Sequence, residues 1–361
     1  MRVLFAQSAA TGPLFHRVTE PIRAIREAGA DVELVTRRGL ATTMSRPVDG
    51  AEPEVVDVDD EGADVVVFQL PTTLAMLQCI RMFKSRGIAV VVEMDDLLSA
   101  VPYGHVSHGG LVLSGKARMA RECAHEADVV TTTTPALLAE YATHGRGIVV
   151  PNAIPRRIAE LPPAYERTPD VVSIGWTGTV ARHPYDLQEM GSGMQQALDR
   201  TAGRSRFTIL GERYDAKERL HLSDQPGEVP WLMDPEVYLT QIGELFDIGV
   251  APLRLDKFNA SKSWLKPLEY SARGVFCVRA RTEEYERLGL GMPARSPKDW
   301  AKWITTGVLD HDRRAELAAA AREKVLAGHL TEHTAEHWIG AWRAALEHAA
   351  RTRGSLAASH R

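Results

Sequence analysis

The stretch DIGVAPLRLDKFNASKSWLKPLEYSARG, residues 247–274, carries a fold signal and a chemical signal together. It opens as a buried strand through Ile248, Val250 and Ala251 and breaks at Pro252. A polar loop with Lys257, Lys262, Ser263 and Lys266 follows, then a helix that contains Glu269 and closes at Gly274. Free backbone N–H groups at a helix start favour an anion, and ammonium groups nearby add to that preference. Lysines and one inward carboxylate at a strand-to-helix turn suit a nucleoside diphosphate, the lysines meeting phosphates and the carboxylate a ribose diol. The plain alternative is a solvated amphipathic helix with a structural glutamate, and these residues taken alone leave both open.

Working outward, the same strand-then-helix plan recurs on both sides. Residues 2–7 form a short apolar strand, a helix follows over about 15–28, and DVELVT (31–36) is the next strand. VVVFQL (65–70), IAVVVEM (88–94), DVVTTTT (128–134) and GIVVP (147–151) continue the series, with helices up to about residue 86, near 114–126 and from Pro135. A second series has VVSIGW (171–176), RFTIL (206–210), VPWL (229–232), DIGVAPL and VFCVRA (275–280), with helices from about Pro184 and near 236–245. The strands are continuous apolar runs rather than alternating ones. Strands buried on both faces look like that, and alternation with helices predicts doubly wound parallel sheets of the α/β class.

Domain limits follow from composition. Residues 1–150 form one Rossmann-like domain and 170–330 another. The proline- and charge-rich PNAIPRRIAELPPAYERTP (151–169) reads as the linker. A last helix over 331–350 carries Trp338, Trp342 and Leu346 on one stripe, as core or as a strap across both domains. The end, 351–361, has no apolar period and reads as a disordered tail. A chain of 361 residues supports two such cores, and a formal charge of −4 gives no global pull toward nucleic acid or membrane. Cys79, Cys123 and Cys277 are odd in number and far apart, which predicts reduced, mostly buried thiols and a cytoplasmic location. No apolar run approaches the ~20 residues of a membrane span, and MRVLFAQ enters a strand directly, unlike a signal peptide.

Several smaller constellations point toward the carboxyl edges of these sheets, where ligands bind in open α/β folds. GWTGT (175–179) follows a strand; its glycines admit a bulky anion, and Thr177, Thr179, Arg182 and His183 supply donors ahead of a helix beginning at Pro184. An ordinary tight turn is the alternative for Gly178 and its neighbours. Asp95 and Asp96 end the strand VVVEM, placed to act as a base, to orient a sugar hydroxyl or to hold a metal, against a plain capping role. His105 and His108 lie in the loop GHVSHGG as substrate donors, lid residues or surface histidines. Gly12 and Arg17 flank the first turn, the glycine admitting a ligand and the arginine pairing with phosphate, or sitting on the surface. His333, Glu336 and His337 spell HxxEH, but the match is short and lacks a third ligand, so no metal site is assigned. GxSxG, the P-loop and GxGxxG are missing from the sequence, which argues against a nicotinamide or flavin enzyme.

Apart from its tail, the whole chain resembles the GT-B-fold glycosyltransferases, nearest the retaining group typified by bacterial mannosyl- and glucosyltransferases. The likeness is carried by GPLFHRVTEPIRAIREAGADVELVT (12–36), VVPNAI (149–154), DPEVYLTQIGELFDIGVAPL (234–253) and, most specifically, FNASKSWLKPLEYSARGV (258–275). EMDD (93–96) with GWTGTVARHPYDL (175–187) also resembles a subgroup found in bacteriophages and actinobacteria. The resemblance implies two Rossmann-like domains around a cleft, the first on the acceptor side and the second holding a nucleoside-diphosphate sugar. Glu269 is implied to take the ribose hydroxyls and Lys262, Ser263 and Lys266 the diphosphate, with Gly178 and Thr179 opposite. A positive clamp on the departing diphosphate then needs neither metal nor other cofactor.

Two departures limit what carries over. An acidic residue usual eight positions before the ribose-binding glutamate is Ser261 here, so the sugar is not implied. Asp95 and Asp96 stand where many relatives have histidine. The acceptor is open among a glycan, a lipid-linked sugar, a metabolite and a modified DNA base. DNA would need a basic groove, for which Arg17, Arg23, Arg26, Arg37, Arg38, Arg81, Lys84 and Arg86 offer material. Rival readings are a nucleotide-sugar epimerase of the same fold, which needs no acceptor, and a non-catalytic sugar-nucleotide-binding protein.

Overall fold

Apolar runs in the first half become strands covered on both faces. The computed structural model describes residues 1–7, 11–46 and 53–359. Strands β1 (Arg2–Ala6), β2 (Glu33–Arg37), β3 (Thr42–Met44), β4 (Val55–Val58), β5 (Val65–Gln69), β6 (Ala89–Met94), β7 (Val129–Thr132) and β8 (Gly147–Val149) occur in chain order. Six of them make one parallel sheet, ordered β2-β1-β5-β6-β7-β8. The antiparallel hairpin β3-β4, which the sequence reading missed, stands apart from it. Residues Leu4, Val66, Phe68, Val90 and Val92 pack one face against Leu77, Ile80 and Phe83 of the helix Leu74–Ser85. Val3, Phe5, Val65, Val67 and Val91 pack the other against Ile22, Ile25, Trp338 and Trp342. Two-sided burial is why these strands do not alternate with polar residues.

The last helix, Ala335–Ser359, belongs to this first unit, which comprises Met1–Val101, His108–Pro151 and the chain from Thr334 on. Trp342 meets Phe5 edge-on, centroids 5.7 Å apart. The tryptophan stripe is therefore core. The helix also runs past 350 to Ser359, where a disordered tail was expected. Alanine, arginine and leucine are good helix formers and no proline interrupts them, and Arg353 lies against Gly87 where a Cβ would collide.

The second unit comprises Pro102–Ser107 and Asn152–His333. Its strands are β9 (Val172–Thr177), β10 (Ser205–Leu210), β11 (Gly227–Val229), β12 (Ile248–Ala251), β13 (Phe276–Ala280) and β14 (Met292–Ala294). They form a parallel sheet ordered β11-β10-β9-β12-β13-β14. The strand order reverses between β9 and β12, which is the switch point where such sheets open a crevice at their carboxyl ends. Residues 152–169 are packed into this unit rather than extended as a linker. Ile154, Ile158 and Ala164 are buried, and Ile154 bridges to Leu330. The prolines of that stretch set up the short helical turns Arg156–Ala159 and Ala164–Glu166. The three cysteines are free and buried, as expected. No helix among the described residues is long and apolar enough to cross a membrane.

Candidate active site

Glu269 sits on the helix Leu265–Ala272, which follows β12, and is only 4% exposed. Its carboxylate accepts a hydrogen bond from the Tyr238 hydroxyl at 3.1 Å. Asp234 caps the helix Pro235–Leu245 and so fixes Tyr238. The neighbouring Tyr270 turns inward, where its hydroxyl accepts from the Thr177 backbone N–H at 3.2 Å and ties the helix to the end of β9. A carboxylate offers about four lone-pair sites, so the Tyr238 bond does not by itself fill it.

The lysines predicted around it are there. Lys266 Nζ lies 5.9 Å from the Trp176 ring centroid, and Lys262 Nζ lies 4.6 Å from that of Phe258. Burial, then the Lys262 charge, lower the Lys266 pKa to about 8 against the opposing pull of Asp186 and Glu269. Two ammonium groups close enough to disfavour each other would be relieved by a bound anion. Ser263 is engaged differently from expectation: its hydroxyl accepts from the Asn152 side-chain amide at 2.8 Å. The carbonyl of Asn152 in turn accepts from the Trp264 indole N–H at 2.9 Å. That pair anchors the lysine loop, so Ser263 helps to shape it. Ser261 is buried and its hydroxyl donates to the Phe258 carbonyl at 2.7 Å.

The GWTGT turn departs from the sequence reading. No helix starts at Pro184; short 3-10 turns span Val180–Arg182 and Leu187–Met190, and an α-helix begins only at Gly193. The helix dipole expected to face an anion at Gly178 and Thr179 is thus not supplied. Gly178 has φ +139°, and a Cβ there would lie 3.1 Å from Trp176 and 3.2 Å from His183. The Gly178 carbonyl would in turn meet a Cβ on Gly211 at 2.2 Å. Close packing therefore demands these glycines whatever ligand binds. Thr179 is half-buried at the turn and Arg182 is exposed.

His183 is held by Asp186, which the sequence reading did not single out. Nδ1 of the ring donates to Asp186 Oδ2 at 2.8 Å. The other carboxylate oxygen accepts from the Arg254 N–H at 3.1 Å and the Asn259 amide at 2.8 Å. Burial, then the Lys266 and Lys262 charges, lower His183 to about 3, so the imidazole is neutral near pH 7. Burial works against the Asp186 charge, yet its hydrogen bonds and Lys262 bring it down to about 2. The bond is that of a neutral ring N–H to a carboxylate. Only the spacing HPYD, three residues from His183 to Asp186, hinted at it. For Tyr238 no local signal existed, because its partner lies far along the chain.

In the first unit, Asp95 and Asp96 follow β6 as expected. Glu93, one turn of the pleat earlier, is 1% exposed and paired with Arg17, Nε to Oε1 at 2.7 Å. Arg17 Nη1 donates to the Val150 carbonyl at 2.7 Å, and its guanidinium stacks 4.7 Å from the Trp338 ring centroid. Arg17 is thus a buried structural cation, not an open phosphate ligand. Gly12 lies in the turn Thr11–Leu14 with open space where a Cβ would be, so no steric demand explains it. His108 Nδ1 hydrogen-bonds the Val101 carbonyl at 2.7 Å. His105 belongs to the second unit; its Nδ1 accepts from the Ser107 N–H at 3.0 Å, and its ring meets Phe258 edge-on at 6.0 Å. His333 of the HxxEH match accepts through Nδ1 from the Leu330 N–H at 3.2 Å, a local turn contact.

A family model described as glycosyl transferase-like matches residues 188–340, which takes in Lys262, Ser263, Lys266 and Glu269. No curated protein is significantly similar in sequence. A glycosyltransferase from Rickettsia africae superposes with TM-score 0.62 at 12% identity, covering 96% of this chain and 98% of its own. HepE from Anabaena, solved with UDP and glucose, gives TM-score 0.60 at 13% identity over 94% and 98%. A trehalose 6-phosphate synthase from Burkholderia multivorans gives TM-score 0.54 at 11% identity over 100% and 99%. Identities this low speak for the fold alone. With two parallel six-stranded sheets, the chain has the GT-B fold, and its residues 188–340 match the glycosyl transferase-like model.

Proposed function

We propose that the enzyme transfers a hexose, with retention, from a nucleoside-diphosphate sugar to a hydroxyl-bearing acceptor. The observation that carries this reading is the grouping of Lys262 and Lys266 near buried Glu269 on the loop and helix after β12. Lysines facing a diphosphate and a carboxylate facing a ribose account for both charges at once. On this reading the lysines do the work of a divalent ion at the leaving group, and no metal is required. Neutral His183 contributes hydrogen bonding rather than charge. HepE's bound UDP and glucose supports this donor class.

A DNA acceptor is not part of the proposal, because most of the basic residues that might have lined a groove have partners within the fold. Arg37 pairs with Glu61, Arg81 with Glu126, Lys84 with Asp128 and Arg86 with Asp57. Arg26 is bonded to the Leu34 carbonyl and Arg17 is buried. A glycan, a lipid-linked sugar or a small metabolite needs no such groove.

The test is thermal-shift titration with UDP, GDP, ADP and TDP, followed by incubation of the matching sugar donor with and without acceptors. One nucleotide is expected to raise the melting temperature, and donor alone is expected to stay unchanged. Epimerised donor without acceptor would move the assignment to an epimerase, and binding with no turnover under any acceptor to a binding protein. Glu269→Ala is expected to weaken nucleotide binding by about 1.5–3 kcal/mol, roughly 10- to 150-fold, read by calorimetry. Unchanged affinity would remove Glu269 from the ribose.

A further inference from the structure

Strands β12, β13 and β14 lie side by side at one edge of the second sheet, and a cavity of about 480 Å³ opens where they end. Leu253 follows β12, Ala280 ends β13 and Ala294 ends β14, so the cavity sits at the carboxyl edge, within the second unit alone. Its volume is that of a small-molecule site. Leu253, Ala280, Ala294 and Trp300 give it an apolar wall, and Leu255 stands beside them 68% exposed. Lys262, Lys266 and Glu269 do not line it, so it is a different place from the lysine loop. The charged residues around it are of both signs. Arg281 Nε donates to Glu286 Oε1 at 2.6 Å, and Arg279 Nη1 donates to the same oxygen at 3.2 Å. Glu189, Glu283 and Arg295 are exposed, and their side chains have no hydrogen bond or ion pair among the described residues. Burial, with the Asp186 and Asp256 charges nearby, raises the Glu189 pKa against the pull of Arg254, so its carboxylate gains from a hydroxyl that donates to it.

That lining narrows what can bind. A polyanion meets two unpaired carboxylates, and an organic cation meets Arg281 and Arg295. A wholly apolar ligand would strip water from those charges and return no hydrogen bond. No group of three or more metal-ligating side chains occurs among the described residues. A neutral saccharide suits the whole lining. Neighbouring hydroxyls donate as a pair to a carboxylate and accept as a pair from a guanidinium, while the C–H surface of the ring covers the apolar wall. We infer that this cavity is a saccharide-binding site on the second unit, distinct from the donor site, in which Glu189, Glu283 and Arg295 bond sugar hydroxyls. The saccharide comes from one of two sources, a distal stretch of a glycan acceptor or a free sugar that modulates the enzyme. Both sources rest on the glycosyl-transfer reading; the binding of a saccharide does not.

The experiment is saturation-transfer NMR on the whole chain, without nucleotide, against neutral gluco-, galacto- and manno-oligosaccharides of graded length, with spermidine and glutamate as charged probes. Saturation transfer to at least one oligosaccharide series is expected. Glu189→Ala and Arg295→Ala, both surface changes, are each expected to weaken that binding at least about tenfold, as for loss of a hydrogen bond to a charged group. Melting temperature and nucleoside-diphosphate affinity should not move in either variant. Oligosaccharide binding that both variants retain would overturn the inference. So would binding of spermidine or glutamate without any oligosaccharide, or no binding by any probe. Transfer assays then separate the two sources. For a glycan acceptor, KM falls as the acceptor lengthens, and Arg295→Ala removes that dependence with kcat unchanged. For a free modulator, added oligosaccharide changes turnover of a short acceptor in wild type and not in Arg295→Ala. If wild type binds no nucleotide and transfers no sugar, the functional reading fails instead, and the NMR arm still decides the site.

Discussion

Replacing Arg17 with methionine is expected to destabilise the protein by about 3–5 kcal/mol, measured by urea unfolding, because it leaves a charged Glu93 buried without its partner. Glu93 and Arg17 are each 1% exposed and meet at 2.7 Å. The methionine would fill much of the volume under Trp338, so the loss reports charge rather than a cavity. Arg17→Met combined with Glu93→Gln should regain most of the lost stability, since no bare carboxylate remains. An arginine that served only a ligand phosphate would behave otherwise: stability would hold and donor KM would rise. That pair of outcomes decides between the role read from the first turn of the sequence and the one the packing gives.

Lys266→Met is expected to lower kcat by about 10²–10³-fold, near 2.7–4 kcal/mol, the usual loss when one preorganised charge or donor at a leaving group is removed. Stability should move the other way. Burial and Lys262 already hold this ammonium down to a pKa of about 8, so near pH 7 the native state carries a charge that its surroundings disfavour. Methionine removes that penalty, and the variant should melt higher than wild type at pH 7 in the absence of nucleotide. For wild type, the unfolded chain binds more protons than the native one between about pH 8 and the ordinary lysine value, so stability should rise with pH across that window. Nucleoside-diphosphate affinity should fall as pH climbs through about 8, and calorimetry in two buffers should show proton uptake on binding just above it. A Lys266→Met enzyme with unchanged kcat would place the diphosphate elsewhere.

How far the sequence reached can be judged from particular residues. Glu269, Lys262 and Lys266 were legible because a strand, a loop and one helix turn bring them together within a few residues. The strands around Val66 and Val91 were legible because two-sided burial leaves an unbroken apolar run. Arg17 misled, because its partner Glu93 lies in another strand and nothing local announces the pair. The GWTGT turn misled for a related reason. Pro184 suits a helix start, but Asp186 bonds instead to the His183 ring, to Arg254 and to Asn259, which leaves 3-10 turns in place of a helix. Proline and charge made 151–169 look like a linker, whereas its isoleucines are buried.

What the sequence determined by itself was periodic and short in range: parallel α/β sheets, buried thiols, and a loop and helix turn that bring two lysines and a glutamate together. Those features depend on neighbours in the chain, and a neighbour's identity is written beside it. The tertiary structure alone decided which charges are paired inside the protein. Sheet order sets β6 beside β7, so that Thr131 reaches Glu93, and the fold carries Arg17 to the same carboxylate. It sets Tyr238 against Glu269 and Asn152 against Ser263. A charge acquires its role from what surrounds it in space, because solvation and pairing set its energy, and no spacing along the chain encodes those surroundings.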